Sequence, residues 1–296
     1  METVALTSFI SGSHNRISEE VIFAGAPFSV KSALFDIDGT VVGRNHAIAP
    51  RTKRAIAELA RRGVTVGFAT GRASFATREV GRELGISGPS MFFAGALIQE
   101  VSTEKVLYRV DLTHTSIEQL LALAARRDYH IEFYTESDFF AEQMRQELVI
   151  HQQYCSKPAV LTNLLDLAAR TPLIKGVMMT RAGEAEERLR SELSEVEGIV
   201  VTYSYGAVHP DIVFANIVDA KATREAAFAE LLLINGCLAE EVATFGDSEA
   251  DCAFLRAARF GVATSNGVSA AKDAASFITT SVDDGGVGLA IEKLFL

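Results

Sequence analysis

Short apolar runs that stop at a polar residue and give way to a helix-period segment recur along this chain, and that alternation constrains its fold most. Ala33-Leu34-Phe35 stops at Asp36. The segment from Thr52 to Arg62 then sets Ala55, Ile56, Leu59 and Ala60 on one face, with Pro50 ahead of it and Gly63 behind. Val64 to Ala69 reads as a second strand. The pattern resumes near the carboxyl end: helix from Ala222 to Ile234, strand from Val242 to Phe245, helix from Ala250 to Ala258, strand from Gly261 to Thr264. Unalternating apolar runs suit strands covered on both faces, and strand–helix repetition calls for right-handed crossovers. The expected fold class is α/β, with a Rossmann-like doubly wound parallel sheet. Asp36, Thr70 and Asp247 then fall at strand ends along one edge, where such sheets bind ligands.

Between about residues 99 and 206 the texture changes. His130-Ile131-Glu132-Phe133-Tyr134 alternates faces, as a strand covered on one side does. Helices are expected at Ser116 to Arg127, Leu161 to Ala169 and Glu184 to Leu193, and strands at Gly176 to Thr180 and Ile199 to Tyr203. This predicts an α/β domain over 99–206, inserted into a core made of 31–98 and 207–296. Residues 1–30 lack sustained periodicity and read as a loosely attached extension.

Composition narrows the function. Of 296 residues 48% are hydrophobic and 22% charged, which suits a folded globular chain. A net charge of −10 without a Lys/Arg cluster argues against nucleic acid as a partner. An acidic chain can still hold an anion, but only at a local site built from a metal, a few cations and backbone amides. Three cysteines without metal-like spacing fit a reducing, cytoplasmic setting, and no apolar stretch is long enough to span a membrane.

The chemistry-bearing motifs sit at the strand ends. Asp36-Ile37-Asp38-Gly39-Thr40 places two carboxylates one residue apart at a glycine turn, so both can face one cavity. Asp and Gly also favour such exits for turn reasons alone. Ala69-Thr70-Gly71-Arg72 sets a hydroxyl at a glycine turn expected to open a helix, which suits an anion and equally an ordinary N-cap threonine. Lys221 follows Asp219-Ala220, and Gly246-Asp247-Ser248-Glu249-Ala250-Asp251 closes the Val242 strand.

In that order these motifs resemble those of the haloacid dehalogenase-like superfamily, over nearly all of Ser32 to Leu296. The long insertion resembles the large α/β cap of its Cof-type subfamily, and Gly261-Val262-Ala263 with Asn266 matches that subfamily's stretch after the acidic motif. The resemblance implies a Mg²⁺-dependent phosphatase of small phosphorylated metabolites, with a cap that selects the substrate. It implies Asp36 as nucleophile forming an aspartyl-phosphate, and Asp38 as general acid and base. Thr70, Gly71, Lys221 and Asn266 would bind phosphate. Mg²⁺ would be held by Asp36, the Asp38 carbonyl and Asp247, with Asp251 binding directly or through water. Apart from the resemblance, Arg72, Arg44, His46 and the Tyr203 to His209 region are this chain's own candidates for contact with the leaving group.

Two positions depart from the subfamily: Ala94 and Ala250 stand where asparagines are usual. They keep two other readings open, a phosphomutase using the same aspartyl-phosphate and a weakly active or non-catalytic phosphometabolite binder. Phe133, Tyr134, Phe139 and Phe140 read as cap core, and His114, His130, His151 and His209 have no metal-ligand spacing.

Overall fold

The computed structural model describes residues 3–4, 15–20, 22–23, 27–43, 45–206 and 209–296. Arg44 and residues 207 and 208 lie outside the described residues. The chain forms two compact units. One comprises residues 1–71, 78–107 and 224–296, and the other 72–77 and 108–223.

The first unit is built on a six-stranded sheet in the order Asn15–Arg16, Phe277–Thr279, Phe260–Thr264, Val242–Gly246, Ser32–Phe35, Thr65–Phe68, every pairing parallel. Ser32–Phe35 and Val242–Gly246 are buried throughout, as their unbroken apolar composition requires. Phe35 and Phe245 stack at 4.8 Å where the two strands end. Pro50–Arg61 packs on Gly286–Leu294, and Arg224–Asn235 packs on Cys252–Ala257, which meets Ser269–Ala274. Pro50 starts the first of these helices where its missing N–H costs nothing, and Ala55, Ile56 and Leu59 form its buried face.

Part of the amino-terminal extension belongs to this unit. Asn15–Arg16 adds the outer strand beside Phe277–Thr279, the Ile17 N–H donates to the Ile278 carbonyl at 2.7 Å, and Phe28 packs on Phe260 at 4.9 Å. A two-residue strand leaves no periodicity to read, so the sequence of the extension carries no strand signal at residues 15–17.

The second unit has a six-stranded mixed sheet in the order Val160–Leu161, Phe139–Ala141, His130–Tyr134, Lys175–Arg181, Ile212–Asp219, Ile199–Tyr205. Ile131, Phe133, Met178, Ala215 and Ile217 share one face and pack under helices His114–Arg127, Leu164–Ala168 and Glu184–Ser194. The register sets His130, Glu132, Tyr134, Lys175, Val177 and Met179 on the other face. Ile212–Asp219 pairs with both neighbours inside this sheet, so the unit runs to residue 223 rather than stopping at 206. Among the described residues no helix is long and apolar enough to cross a membrane.

Candidate active site

Register places the motifs side by side. Phe35 pairs with Phe68 on one flank and Phe245 on the other, so Asp36, Thr70 and Asp247 emerge from neighbouring strand ends. The Asp36 N–H donates to the Phe245 carbonyl at 2.9 Å, and the Ala69 N–H donates to Phe35 at 2.9 Å. One oxygen each of Asp36, Asp247 and Asp251 lies within 4.8 Å of the others.

The chain after Asp36 folds into a tight turn that faces Asp247. Gly39 adopts φ +81°, and a Cβ there would collide with the Asp247 carboxylate, so only glycine fits. Thr40 Oγ1 donates to Asp247 Oδ1 at 3.1 Å, tying turn to strand end. The Asp38 side chain is exposed, whereas Asp36 is buried.

Asp251 sits behind this surface, wholly buried. Its Oδ2 accepts from the Asp247 N–H at 3.0 Å and from the Ser248 N–H and hydroxyl, both at 2.8 Å. Its Oδ1 accepts from Arg224 Nη1 at 2.9 Å, and Arg224 also reaches the Ala69 carbonyl at 3.4 Å. Three donors thus converge on Oδ2, which holds the Asp247 loop, while Oδ1 takes Arg224 alone and keeps a lone pair.

Concentrated negative charge shows in the acidities. Burial, then the Asp251 charge, raises Asp36 well above the usual carboxylate range; Arg224 opposes this, and Asp247 and Asp38 add to it. Burial and Asp251 push Asp247 up to about 6, against the Thr40 hydrogen bond. Three carboxylates this close favour either protons or a cation, and an all-oxygen donor set suits a hard divalent ion.

The other expected residues are placed as follows. Thr70 is buried, its N–H on the Met91 carbonyl and its carbonyl accepting from the Ala94 N–H, while Gly71 faces open space. The helix expected after it opens as one 3-10 turn, Ser74–Thr77, before the short helix Arg78–Leu84, so little helix dipole is aimed at an anion there. Asn266, expected at phosphate, donates to the Gly39 carbonyl at 2.8 Å and accepts from the Val282 N–H at 2.8 Å; it holds the turn instead. Lys221 is exposed in the second unit, its N–H bonded to Asp219 Oδ1. The cation seated at the acidic cluster is Arg224, which the sequence reading missed. Its place at the head of the helix before the Val242 strand, three residues beyond Lys221, was the available signal. Arg72 lies in the second unit, and His46 is exposed with φ +58°.

The sequence profile of the haloacid dehalogenase-like hydrolases matches residues 33–291. The chain belongs to that family. Among its haloacid dehalogenase-like relatives, Bacillus subtilis YxeH, provisionally named a phosphatase, is 24% identical over 270 residues, covering 90% of this chain and 98% of its own. The HMP-PP phosphatase of Klebsiella pneumoniae is 25% identical over 230 residues, covering 75% and 79%. A haloacid dehalogenase-like hydrolase from Bacteroides thetaiotaomicron shares the fold with TM-score 0.80 at 24% identity, over 90% of this chain and all of its own (100%). The sugar phosphatase BT4131 aligns with TM-score 0.71 at 23% identity, covering 88% and 98%. This kinship supports a phosphoric monoester hydrolase.

Proposed function

We propose that the protein is a magnesium-dependent phosphatase of small phosphorylated metabolites, such as sugar phosphates, working through an aspartyl-phosphate on Asp36. The observation that carries this reading is the convergence of Asp36, Asp247 and Asp251 within 4.8 Å at adjacent parallel strand ends, with Arg224 bound to Asp251. An ionised Asp36 and a phosphate dianion repel each other, so a nucleophilic role needs positive charge beside both. Bound Mg²⁺ would supply that charge and stabilise the equatorial oxygens during in-line transfer. Asp36 and Asp247 would hold it, with Asp251 binding through Oδ1 directly or through water.

Arg224 takes the charge-balancing role that the resemblance assigned to Lys221. It neutralises Asp251 and opposes the rise in the proton affinity of Asp36 that burial and Asp251 cause, which favours the ionised nucleophile. Asp38, exposed at the turn, reaches solvent and serves as the group that protonates the leaving oxygen and deprotonates water. Thr70 and Gly71 supply the hydroxyl and amide for a phosphoryl oxygen, and Asn266 positions the turn from behind through Gly39. Ala94 adopts φ +57°, a conformation asparagine tolerates well, and here its N–H supports the Thr70 carbonyl by backbone alone.

The test is phosphate release from a panel of phosphorylated metabolites, with and without Mg²⁺. Chelator is expected to abolish release, and Asp36→Asn to reduce it by at least ~10³-fold. Undiminished release from Asp36→Asn would reject the nucleophile assignment.

A further inference from the structure

Within the second unit, a cavity of about 260 Å³ lies at one end of the sheet, just below the roughly 300 Å³ at which pockets for drug-sized ligands begin. Register builds its floor. Met179 pairs with His130 and Arg181 with Ile212, so the start of strand His130–Tyr134, the end of Lys175–Arg181 and the start of Ile212–Asp219 meet there. The chain crosses into and out of this unit at the other end of the same strands: the Leu112 N–H donates to the Leu173 carbonyl, just ahead of Lys175, and Ile212–Asp219 runs out towards residue 223. Ile150, Met179 and Ile212 are buried and give the cavity an apolar side. The starts of helices Gln146–Cys155 and Glu184–Ser194 border it through Gln146, Glu147 and Ala185.

Three polar side chains on the cavity wall decide what it can hold. His130 is buried, and its Nε2 faces Glu132 Oε1 at 2.9 Å. Burial works against charge on Glu132, yet His151 and His130 hold its carboxyl near 2, so the carboxylate is ionised and the His130 proton sits on Nε2. Nδ1, which takes no hydrogen bond among the described residues, is then a lone pair in the neutral ring. Glu147 and Thr180 are half-buried, and neither the Glu147 carboxylate nor the Thr180 hydroxyl has a partner among the described residues. The neighbouring cations are engaged: Arg145 holds Asp128 by its carboxylate and carbonyl, and Arg181 holds Asp211.

We infer that this cavity is a binding site for a small neutral polyol, such as an unphosphorylated sugar. A small anion would meet the Glu147 carboxylate and the His130 lone pair, with both nearby guanidinium groups already paired. A cation would meet the positive ends of two helix dipoles, and Arg145, which precedes the first of those helices, supplies no side-chain cap. Hydroxyls both donate and accept. One molecule can therefore give protons to His130 Nδ1, Glu147 and Thr180, take them from the orphan amides of the first helical turn, and lay its C–H face on Ile150, Met179 and Ile212. Every residue involved lies in the second unit, so the inference does not depend on the proposed phosphatase chemistry.

The test uses the full-length protein and three probes of this class, D-glucose, D-mannitol and myo-inositol, with acetate and butylammonium as anionic and cationic controls. Saturation-transfer NMR measures binding, and the His130 ring signals of isotope-labelled protein, assigned through His130→Gln, report its place. At least one polyol is expected to bind saturably, with a dissociation constant on the order of 1 mM, and to shift the His130 signals. Glu147→Ala should weaken that binding about tenfold, and Ala185→Leu, which fills the cavity, should abolish it, with Tm little changed. Should Ala185→Leu fail to fold, Glu147→Ala carries the test alone. The inference is overturned if none of the three polyols binds, if binding leaves His130 unshifted, or if it persists undiminished in either folded variant. It is equally overturned if acetate or butylammonium shifts His130 as strongly as the polyols do.

Discussion

At residue scale the telling pair is Arg224 and Asp251. Asp251 is wholly buried and Arg224 nearly so, and removing one partner of such a pair strands the other charge, a cost of about 3–5 kcal/mol. Arg224→Ala should therefore lower stability by that order in urea unfolding and abolish phosphate release. Lys221→Ala should shift stability by less than about 0.5 kcal/mol and keep activity within about threefold; a larger loss of activity would restore Lys221 to the site. Asp247 carries a pH signature. A carboxyl raised to about 6 costs stability when ionised, so in chelator its contribution falls as pH rises from about 4 to about 6. The stability difference between Asp247→Asn and wild type should grow by up to about 3 kcal/mol over that window and shrink again with Mg²⁺. Ala94 holds φ +57°, which costs a residue with a Cβ about 1 kcal/mol, so Ala94→Asn should stabilise by about 0.5 kcal/mol in the same assay.

Element by element, strands were easier to read than helices. Ser32–Phe35 and Val242–Gly246 are uninterrupted apolar runs, and their ends coincide with Asp36 and Asp247. Helix Gln146–Cys155 escaped notice because its apolar residues follow no helical period: Leu148 and Ile150 are buried while Val149 between them is exposed. Beside these buried apolar side chains, a polar cluster ties it to the sheet. His151 Nδ1 lies 2.7 Å from Glu132 Oε2, and Glu132 also takes His130 at 2.9 Å and the Tyr134 hydroxyl at 2.8 Å, with no exposure at all. Burial works against charge on His151, but Glu132 and Cys155 raise it to about 9. Burial likewise works against charge on Glu132, yet His151 and His130 hold it near 2. The stabilisation from His151 is thus complete below about pH 6.5 and disappears as pH rises through about 9, while that from Glu132 disappears as pH falls from about 4.5 towards 2. Lys175, lowered to about 8 by burial, acts oppositely and at higher pH. Comparing His151→Gln with wild type isolates the pair: the destabilisation should be on the order of 3 kcal/mol at pH 6 and small above pH 9.

For the whole molecule, the α/β class and the identity of the carboxylate cluster could be read from sequence because burial on both faces and strand-end chemistry leave local marks. The division of the chain was harder. Ile212–Asp219 looks like any apolar strand, and only its register with Lys175–Arg181 and Ile199–Tyr205 assigns it to the second sheet. Arg224 was hidden for a related reason, since a cation at a helix start is common on surfaces and its partner Asp251 lies 27 residues away. Asn266 matched a motif, yet its amide serves the Gly39 turn, a role set by tertiary contact alone. The account comes down to a phosphoryl group carried on Asp36, which mass spectrometry of the Asp36 peptide can detect in enzyme acid-quenched during turnover. The account predicts one phosphoryl group on that peptide with Mg²⁺, none with chelator and none in Asp36→Asn; turnover with Asp36 unmodified and Asp36→Asn still active would contradict it.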